Sequence, residues 1–388
     1  MSWKTTTHPL FDKEHLAAYC SEHNIPAFRI KQIMHGVFGD HHIDINEITT
    51  LSKELRAQLN ASFHINTLKV ENIVEWPEST KFLFSMPDET MIETVLMYHW
   101  HEKKSFKTRQ RKILRSWTKP DISSETHTLN RITICISSQV WCAVWCIFCV
   151  TWKLWFKKNL DWSEMLMQIQ YANNYIKQKF GKKDDGTRRK VRNVVFMGMG
   201  EPMFNYEHMK KSITYMLDQQ ALWLSKRHIT ISTSWVANAI RQLVDDKIDV
   251  RLALSLHAPN QPLRLELIPM IAKKRPLDEL METIDYYVKK TWNRLFYEYI
   301  MIQNKTDTPE IAHELGQLLQ KRNAHVNLIP YNENPAMPEL TTSEFDVIMA
   351  FKKIVEQYWV TVTVRDTLWR DVKWACGQLG YEKVEEGL

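Results

Sequence analysis

The sequence predicts an α/β protein: a parallel sheet covered by helices, preceded by a smaller, mainly helical segment. Two observations carry this. From Arg131 onward, short apolar and β-branched runs alternate with segments of helical period. Alternating β and α units of this length imply a parallel sheet with helices outside it. Before that point, residues 10–63 carry helix-start signals and apolar residues at helical spacing.

The elements can be justified in order. Asp12 is placed to cap DKEHLAAYCSEH, and Pro26 stands near the start of AFRIKQIMHGVF. A third helix is expected within NEITTLSKELRAQLNASF. Three strand-like runs follow, LKVENIVE, KFLFSM and MIETVLMY, and close an accessory domain over residues 1–98. Residues 99–130 are polar and basic without a clear period, and read as an inserted loop. The core domain, 131–388, offers six strands: RITICIS, RNVVFM, RHITIS, VRLALSL, LFYEYIMI and HVNLIP. Helical segments over 161–180, 206–220, 236–246, 277–290, 309–322 and 343–357 separate them. Asp161 with Glu164 makes a capping box for the first. Six units are too few for a closed eight-stranded barrel.

Composition limits the function classes. Of 388 residues, 25% are charged and 44% apolar, as in ordinary soluble proteins. No apolar run approaches the ~18 residues that suggest a membrane span. The start, MSWKTTTHPLFDKEH, lacks the apolar core of a signal peptide. Six cysteines are too few for a disulfide framework in a chain this long. A reducing, cytoplasmic setting is expected. Net charge is +6, and two runs concentrate it: KKSFKTRQRKILRSWTK at 103–119 and KKDDGTRRKVR at 182–192. Such runs are solvated loops or phosphate contacts.

Cys142, Cys146 and Cys149 stand as C-x₃-C-x₂-C in SSQVWCAVWCIFCVTWKL. Three thiolates on one loop can hold three irons of a [4Fe–4S] cluster and leave the fourth open. Zinc is the rival, but zinc sites usually add a second Cys or His pair at a distance, and none is evident. GMGEP, Gly198 to Pro202, leaves the second core strand through two glycines, which let backbone approach a ligand closely. Glu201 can accept from an ammonium or hydroxyl group. Taken alone, His257 reads as a satisfied core histidine, and Cys135 and Cys376 as small buried hydrophobes.

The motifs together resemble one family. ICISSQV-C-AV-CIFC-T-KL-FKKNL, VVFMGMGEPMFN, ITISTS, LALSLHAPN, FYEYIMI, VNLIPYN and ACGQL occur in the order found in the bacterial radical S-adenosylmethionine (AdoMet) RNA adenine-C2 methyltransferases and their C8-methylating relatives. The resemblance covers residues from about 90 to 380. It implies an open, partial (β/α)₆ radical-AdoMet barrel and an RNA-contacting accessory domain. It implies a cluster on Cys142, Cys146 and Cys149, with AdoMet held by Gly200, Glu201, Ser232, Ser255, Leu256, His257 and Asn332. In the family the ACGQL cysteine, here Cys376, takes a methyl group from one AdoMet, and a second AdoMet yields a 5′-deoxyadenosyl radical. The carbon radical formed on Cys376 adds to adenine, Cys135 resolves the adduct through a transient disulfide, and Glu93 accepts the proton. The implied substrates are an adenine of 23S ribosomal RNA and one in tRNA beside the anticodon. The implied electron donor is a flavodoxin or ferredoxin, and the chain is expected to be a monomer. Resistance-type C8 methylation is the alternative, and the roughly ninety-residue N-terminal segment favours C2. Cys20 matches nothing in the family and reads as a helix-packing thiol.

One departure is patterned. The chain has 15 Trp and only 10 Gly. Trp141, Trp145, Trp152, Trp155, Trp223, Trp235, Trp359 and Trp369 stand where the family has, or commonly has, glycine. A gene whose UGA codons mean glycine, read with a table in which UGA means tryptophan, would produce this pattern. If the indoles are genuine, those of the cluster loop are expected to clash with the cluster or AdoMet, leaving an inactive RNA-binding homologue.

Overall fold

The computed structural model describes residues 7–102, 127–183, 186–234, 237–365 and 377–380. The N-terminal segment comprises β1 (His8–Pro9), α1 (Lys13–Glu22), α2 (Phe28–Met34), α3 (Lys53–Ser62) and β2 (Phe63–His64). Asp12 caps α1 as expected, accepting the Glu14 N–H at 3.2 Å. The third helix starts later than its periodicity suggests. Ser52 is its N-cap and accepts the Leu55 N–H at 3.2 Å, while Ile45–Glu47 forms a separate 3₁₀ turn. Leu10, Phe11, Leu16, Cys20, Leu59 and Phe63 are buried in this segment, so Cys20 is a packing thiol.

Four antiparallel neighbours follow: β3 (Lys69–Trp76), β4 (Ser79–Ser85), β5 (Met91–Glu102) and β6 (His127–Cys135). The last two are longer than the sequence indicates. Trp100 pairs with Leu129 and Glu102 with His127, so both ends of the expected 99–130 loop are strand. Too few alternating residues reveal this locally; the pairing partner does. Residues 103–126 lie outside the described residues.

Next, β7 (Gln139–Val140) and β8 (Lys158–Asn159) pair antiparallel and frame the cysteine loop. α4 (Trp162–Phe180) carries the expected capping box: the Ser163 N–H donates to Asp161 at 2.8 Å and the Asp161 N–H to Glu164 at 2.7 Å. The chain continues through β9 (Asn193–Phe196), α5 (Tyr206–Leu217), β10 (Ile229–Thr233), α6 (Ala237–Asp245) and β11 (Arg251–Ser255). α7 (Gln261–Leu267), α8 (Pro269–Lys274) and α9 (Leu277–Thr291) lead to β12 (Leu295–Met301). α10 (Pro309–Leu319), β13 (Ala324–Pro330), α11 (Phe345–Glu356) and β14 (Thr361–Val364) complete the alternation.

All ten larger strands form one open sheet, in the order β14-β13-β12-β11-β10-β9-β6-β5-β4-β3. β6 and β9 to β14 run parallel, each beside its successor. This is the partial (β/α)₆ barrel, with β14 as a seventh parallel strand whose four residues are too short to announce themselves. The antiparallel β3–β5 extend the same sheet rather than forming a second one. The parallel strands are apolar on one face, where Ile134, Val194, Ile231, Leu254, Tyr297 and Leu328 are nearly inaccessible, while the other face carries Thr133, Ser232, Ser255, Glu298 and Asn327. Among the described residues no helix is long and apolar enough to cross a membrane.

Candidate active site

Parallel strands bring their carboxyl ends to one edge of the sheet, and ligands of open α/β sheets lie there. A cavity occupies that edge. Cys142, Cys146 and Cys149 line it with Gly200, Glu201, Ser232, Ser255 and His257. Leu256 is fully buried beside it, and its carbonyl faces Arg264. Asn332 is buried after β13 and is not among the lining residues. Most of the expected set is therefore brought together.

The cysteine loop is held from several sides. The Ile147 N–H donates to the Leu267 carbonyl at 3.0 Å, the Val150 N–H to the Gly377 carbonyl at 2.8 Å, and Lys153 to the Ala336 carbonyl. Burial pushes the Cys142 and Cys146 thiols up, and the nearby Cys149 adds to it in both. Such thiols become ligands only when a metal displaces their protons. Among the described residues no three His, Cys, Asp or Glu side chains converge as ligands of one ion. Three thiols that line one cavity without converging suit a multi-iron cluster better than a tetrahedral zinc site. The residues thus fit the group that their spacing implies.

GMGEP is packed against the segment after β6. A Cβ on Gly198 would lie 2.6 Å from the Ile136 carbonyl oxygen, and one on Gly200 2.5 Å from Gln139 Cβ. Gly200 also has φ +100°. These glycines are required by neighbouring protein, and both also line the cavity, where a ligand could approach their backbone. Glu201 Oε2 accepts from the Ser234 N–H at 2.8 Å and the Ser234 hydroxyl at 2.9 Å, and Oε1 from the Met203 N–H at 3.1 Å. Burial pushes the Glu201 carboxyl up, and the donors from Ser234, Thr233 and Met203 oppose it. Its orientation is fixed, with acceptor capacity left for a ligand.

His257 is buried, and its Nδ1 accepts the Ile300 N–H at 3.2 Å. The proton therefore sits on Nε2. Burial holds its pKa down at about 3, helped by Arg264, so the ring is neutral. Phe148 packs edge-on to it at 4.9 Å between centroids. Arg264, fully buried on α7, donates to the carbonyls of Leu256 and Ser234 at 2.7 Å each. It ties the ends of β10 and β11 together under the cavity.

Two charged lining residues escaped the sequence reading. Glu298 Oε1 accepts from Asn327 at 2.9 Å, and Oε2 lies 4.0 Å from Arg365. Both residues face the cavity. Glu298 was legible in principle, as a carboxylate inside the apolar strand FYEYIMI.

Glu93 stands behind the cavity wall, 3% exposed. Its Oε1 accepts from Lys81 Nζ at 2.7 Å and its Oε2 from the Gly380 N–H at 2.7 Å. Its backbone carbonyl accepts the Ser137 hydroxyl at 2.7 Å, and Ser137 Oγ accepts the Met199 N–H at 2.9 Å. Cys135 is buried on β6, in register with Val95 and Val195. Cys376 lies outside the described residues, but Gly377 lines the cavity. The strap that follows is fastened by Thr151 to the Leu379 carbonyl at 3.1 Å and by Gln378 to the Glu333 carbonyl at 2.7 Å.

Among the described residues no tryptophan lines this cavity. Trp145 and Trp155 point outward, 43% and 71% exposed, and Trp141 is buried. Their cost falls on the backbone instead. Trp141, Trp155, Trp223, Trp292 and Trp359 have φ between 49° and 61°. A side chain in that left-handed region costs roughly 1–2 kcal/mol. Trp235 and Trp369 lie outside the described residues.

Known proteins share these features. Residues 10–65 match the family model described as the ribosomal RNA large subunit methyltransferase N-terminal domain. The chain is 36% identical to a probable dual-specificity RNA methyltransferase RlmN of Dictyoglomus thermophilum, covering 91% of this chain and 90% of the relative. It is 34% identical to a protein of the same description from Aquifex aeolicus, covering 96% of each. A crystal structure of a radical SAM methyltransferase from Sphaerobacter thermophilus superposes with TM-score 0.83 at 32% identity, over 96% of this chain and 99% of that one.

Proposed function

Because the chain belongs to the RlmN family of RNA methyltransferases, we propose that it methylates C2 of one adenine in 23S ribosomal RNA, and of an adenine in tRNA beside the anticodon. One observation supports this most: the three-thiol loop, GMGEP and the strap after Cys376 share one cavity at the carboxyl edge of the sheet.

Cys142, Cys146 and Cys149 would hold a [4Fe–4S] cluster, and Gly200, Glu201, Ser232, Ser255, Leu256, His257 and Asn332 AdoMet. Bound there, the pair supplies reductive cleavage of AdoMet to a 5′-deoxyadenosyl radical. The chain's own residues do the rest. Cys376 carries the methyl-derived carbon, and Gly377 at the cavity wall sets where it can reach. Glu93, which contacts Lys81 and the Gly380 N–H of the strap, would accept the proton. Cys135 would displace the Cys376 sulfur from the adduct: its thiol loses a proton, a sulfur–sulfur bond forms, the carbon–sulfur bond breaks, and its electron pair passes to carbon, which takes up a proton to become the methyl group. Neutral His257 can donate through Nε2 without adding charge. An acidic flavodoxin or ferredoxin would supply electrons to a monomer in the cytoplasm.

The test is anaerobic turnover by protein purified from its source, on a 23S ribosomal RNA fragment and on tRNA. Expected is 2-methyladenosine on nuclease digestion. 8-Methyladenosine would replace this reading with the C8 alternative. Neither product, from cluster-loaded protein, would leave the inactive homologue.

A further inference from the structure

A second cavity, of about 460 Å³, lies at the opposite, amino end of the parallel strands. Arg131 on β6, Arg192 just before β9, and Arg227 and His228 just before β10 line it. Lys183, Arg188, Arg189 and Lys190, from the connection between α4 and β9, complete the wall. No carboxylate is among the lining residues. Asp184 and Asp185 belong to the same connection and lie outside the described residues. Arg188 is neutralised by Asp40 at 2.5 Å. Arg189 is spent on the Leu129 carbonyl at 3.2 Å. Among the described residues, Lys183, Lys190, Arg192 and Arg227 have no ion pair. The His228 imidazole is held below its ordinary range by burial, then by Arg192, Arg227, Arg251 and Arg131, which marks how closely these guanidiniums gather.

Like charges converging without counter-ions destabilise the fold, and a bound anion offsets that repulsion. We propose that this cavity binds the phosphodiester backbone of the substrate RNA, remote from the reacting base. This rests on the RNA methyltransferase reading and adds a docking site to it. β12 spans about 20 Å, so this end of the sheet is far from the thiol cavity. That separation disfavours a protein delivering electrons and suits an RNA fold large enough to reach both ends. Asn130 and Ser225, also in the lining, offer neutral donors beside the guanidiniums, the mixture that phosphate contacts use. The strands β5 and β6 project at this same end, and residues 103–126 join them.

The experiment compares Arg192→Glu/Arg227→Glu with Arg192→Lys/Arg227→Lys in the full chain, carrying its cluster. The probe is a transcribed 23S ribosomal RNA fragment, titrated at several salt concentrations. Charge reversal is expected to weaken binding at least tenfold and to flatten the salt dependence by about one unit of slope for each phosphate no longer neutralised. The lysine variant should bind within a fewfold of the parent. Cluster absorbance and AdoMet affinity should be unchanged in both. Unchanged RNA affinity and slope after charge reversal would overturn the site. Impaired reduction by an acidic flavoprotein with intact RNA binding would also overturn it, in favour of a protein surface. A parent chain without salt-dependent RNA binding would instead sink the RNA methyltransferase reading.

The tryptophan geometry independently carries a second proposal. Five of the ten described tryptophans have φ between 49° and 61°. Trp292 and Trp359 follow the last turns of α9 and α11, each donating its N–H back into the helix, at positions where glycine ends helices. They are 86% and 97% exposed, so no packing holds the indole there. We infer that the working polypeptide carries glycine at Trp141, Trp155, Trp223, Trp292 and Trp359, through UGA codons read as glycine. Peptide masses of protein from its source should show glycine at these five positions. Tryptophan at all five would overturn the inference. A recombinant chain with Trp223→Gly, Trp292→Gly and Trp359→Gly should melt at a higher temperature than the chain as written; a lower one would count against it.

Discussion

Glu93 Oε2 accepts the backbone N–H of Gly380 at 2.7 Å, across 287 positions of sequence. The contact fastens the end of the chain to the antiparallel strand β5, at the edge where the cavity opens. Lys81, one strand over and 3% exposed along its side chain, balances the carboxylate at 2.7 Å. The clasp thus joins the two segments that hold the candidate proton acceptor and the candidate methyl carrier.

Lys81→Met should be strongly destabilising, because it leaves a buried carboxylate without its counter-ion. The expected loss is about 3–5 kcal/mol in urea unfolding. Lys81→Met/Glu93→Gln should recover most of it, since no buried charge remains. A loss under about 1 kcal/mol for the single variant would mean the pair is solvated in solution.

Cys142→Ala, Cys146→Ala and Cys149→Ala should each lose the iron that the parent binds, expected at about four atoms per chain after anaerobic reconstitution. Cys20→Ala should retain it, since Cys20 packs between N-terminal helices. Zinc bound in preference to iron would sink the cluster assignment.

What could be read in the sequence was what lies close together in it. The C-x₃-C-x₂-C loop, the two glycines of GMGEP and the Asp161–Glu164 box all act within a few residues, so spacing reveals them. Lys81, Arg264, Glu298 and Arg365 could not be found that way. Lys81 meets Glu93 through the β4–β5 register, and Arg264 reaches carbonyls on two strand ends. β14 was missed because four residues carry too little pattern. The opposite basic cavity was half visible in the run 182–192, but Arg131 and Arg227 join it only through the sheet.

His41 should make stability fall in mild acid. It is 3% exposed, and burial first, then Lys190, Arg188 and Lys177, hold its pKa at about 4 against Asp40. The unfolded chain takes a proton near pH 6.5, and the folded chain only near 4. Stability is therefore fully present above about pH 6.5 and is lost as pH falls toward 4, by at most about 3 kcal/mol. His41→Asn should flatten this part of the pH profile, because asparagine tolerates the φ of +58° and does not titrate. An unchanged profile in urea melts from pH 4 to 7 would show that another group is responsible.

The two remaining thiols should fail differently. Cys376→Ala should keep iron and lose methyl transfer, because no methylthioether can form. Cys135→Ala should make the new carbon–carbon bond but be unable to break the carbon–sulfur bond, since that step needs a second sulfur to take Cys376. Protein should then accumulate joined to RNA through Cys376. The fastened strap from Gly377 to Gly380 favours detection, because it holds the modified residue's neighbour at the cavity wall. The measurement is peptide mass spectrometry after nuclease digestion, seeking an adenine adduct on Cys376 that is absent from the parent. Normal turnover by Cys135→Ala with no adduct would show that this chain resolves its intermediate by another route.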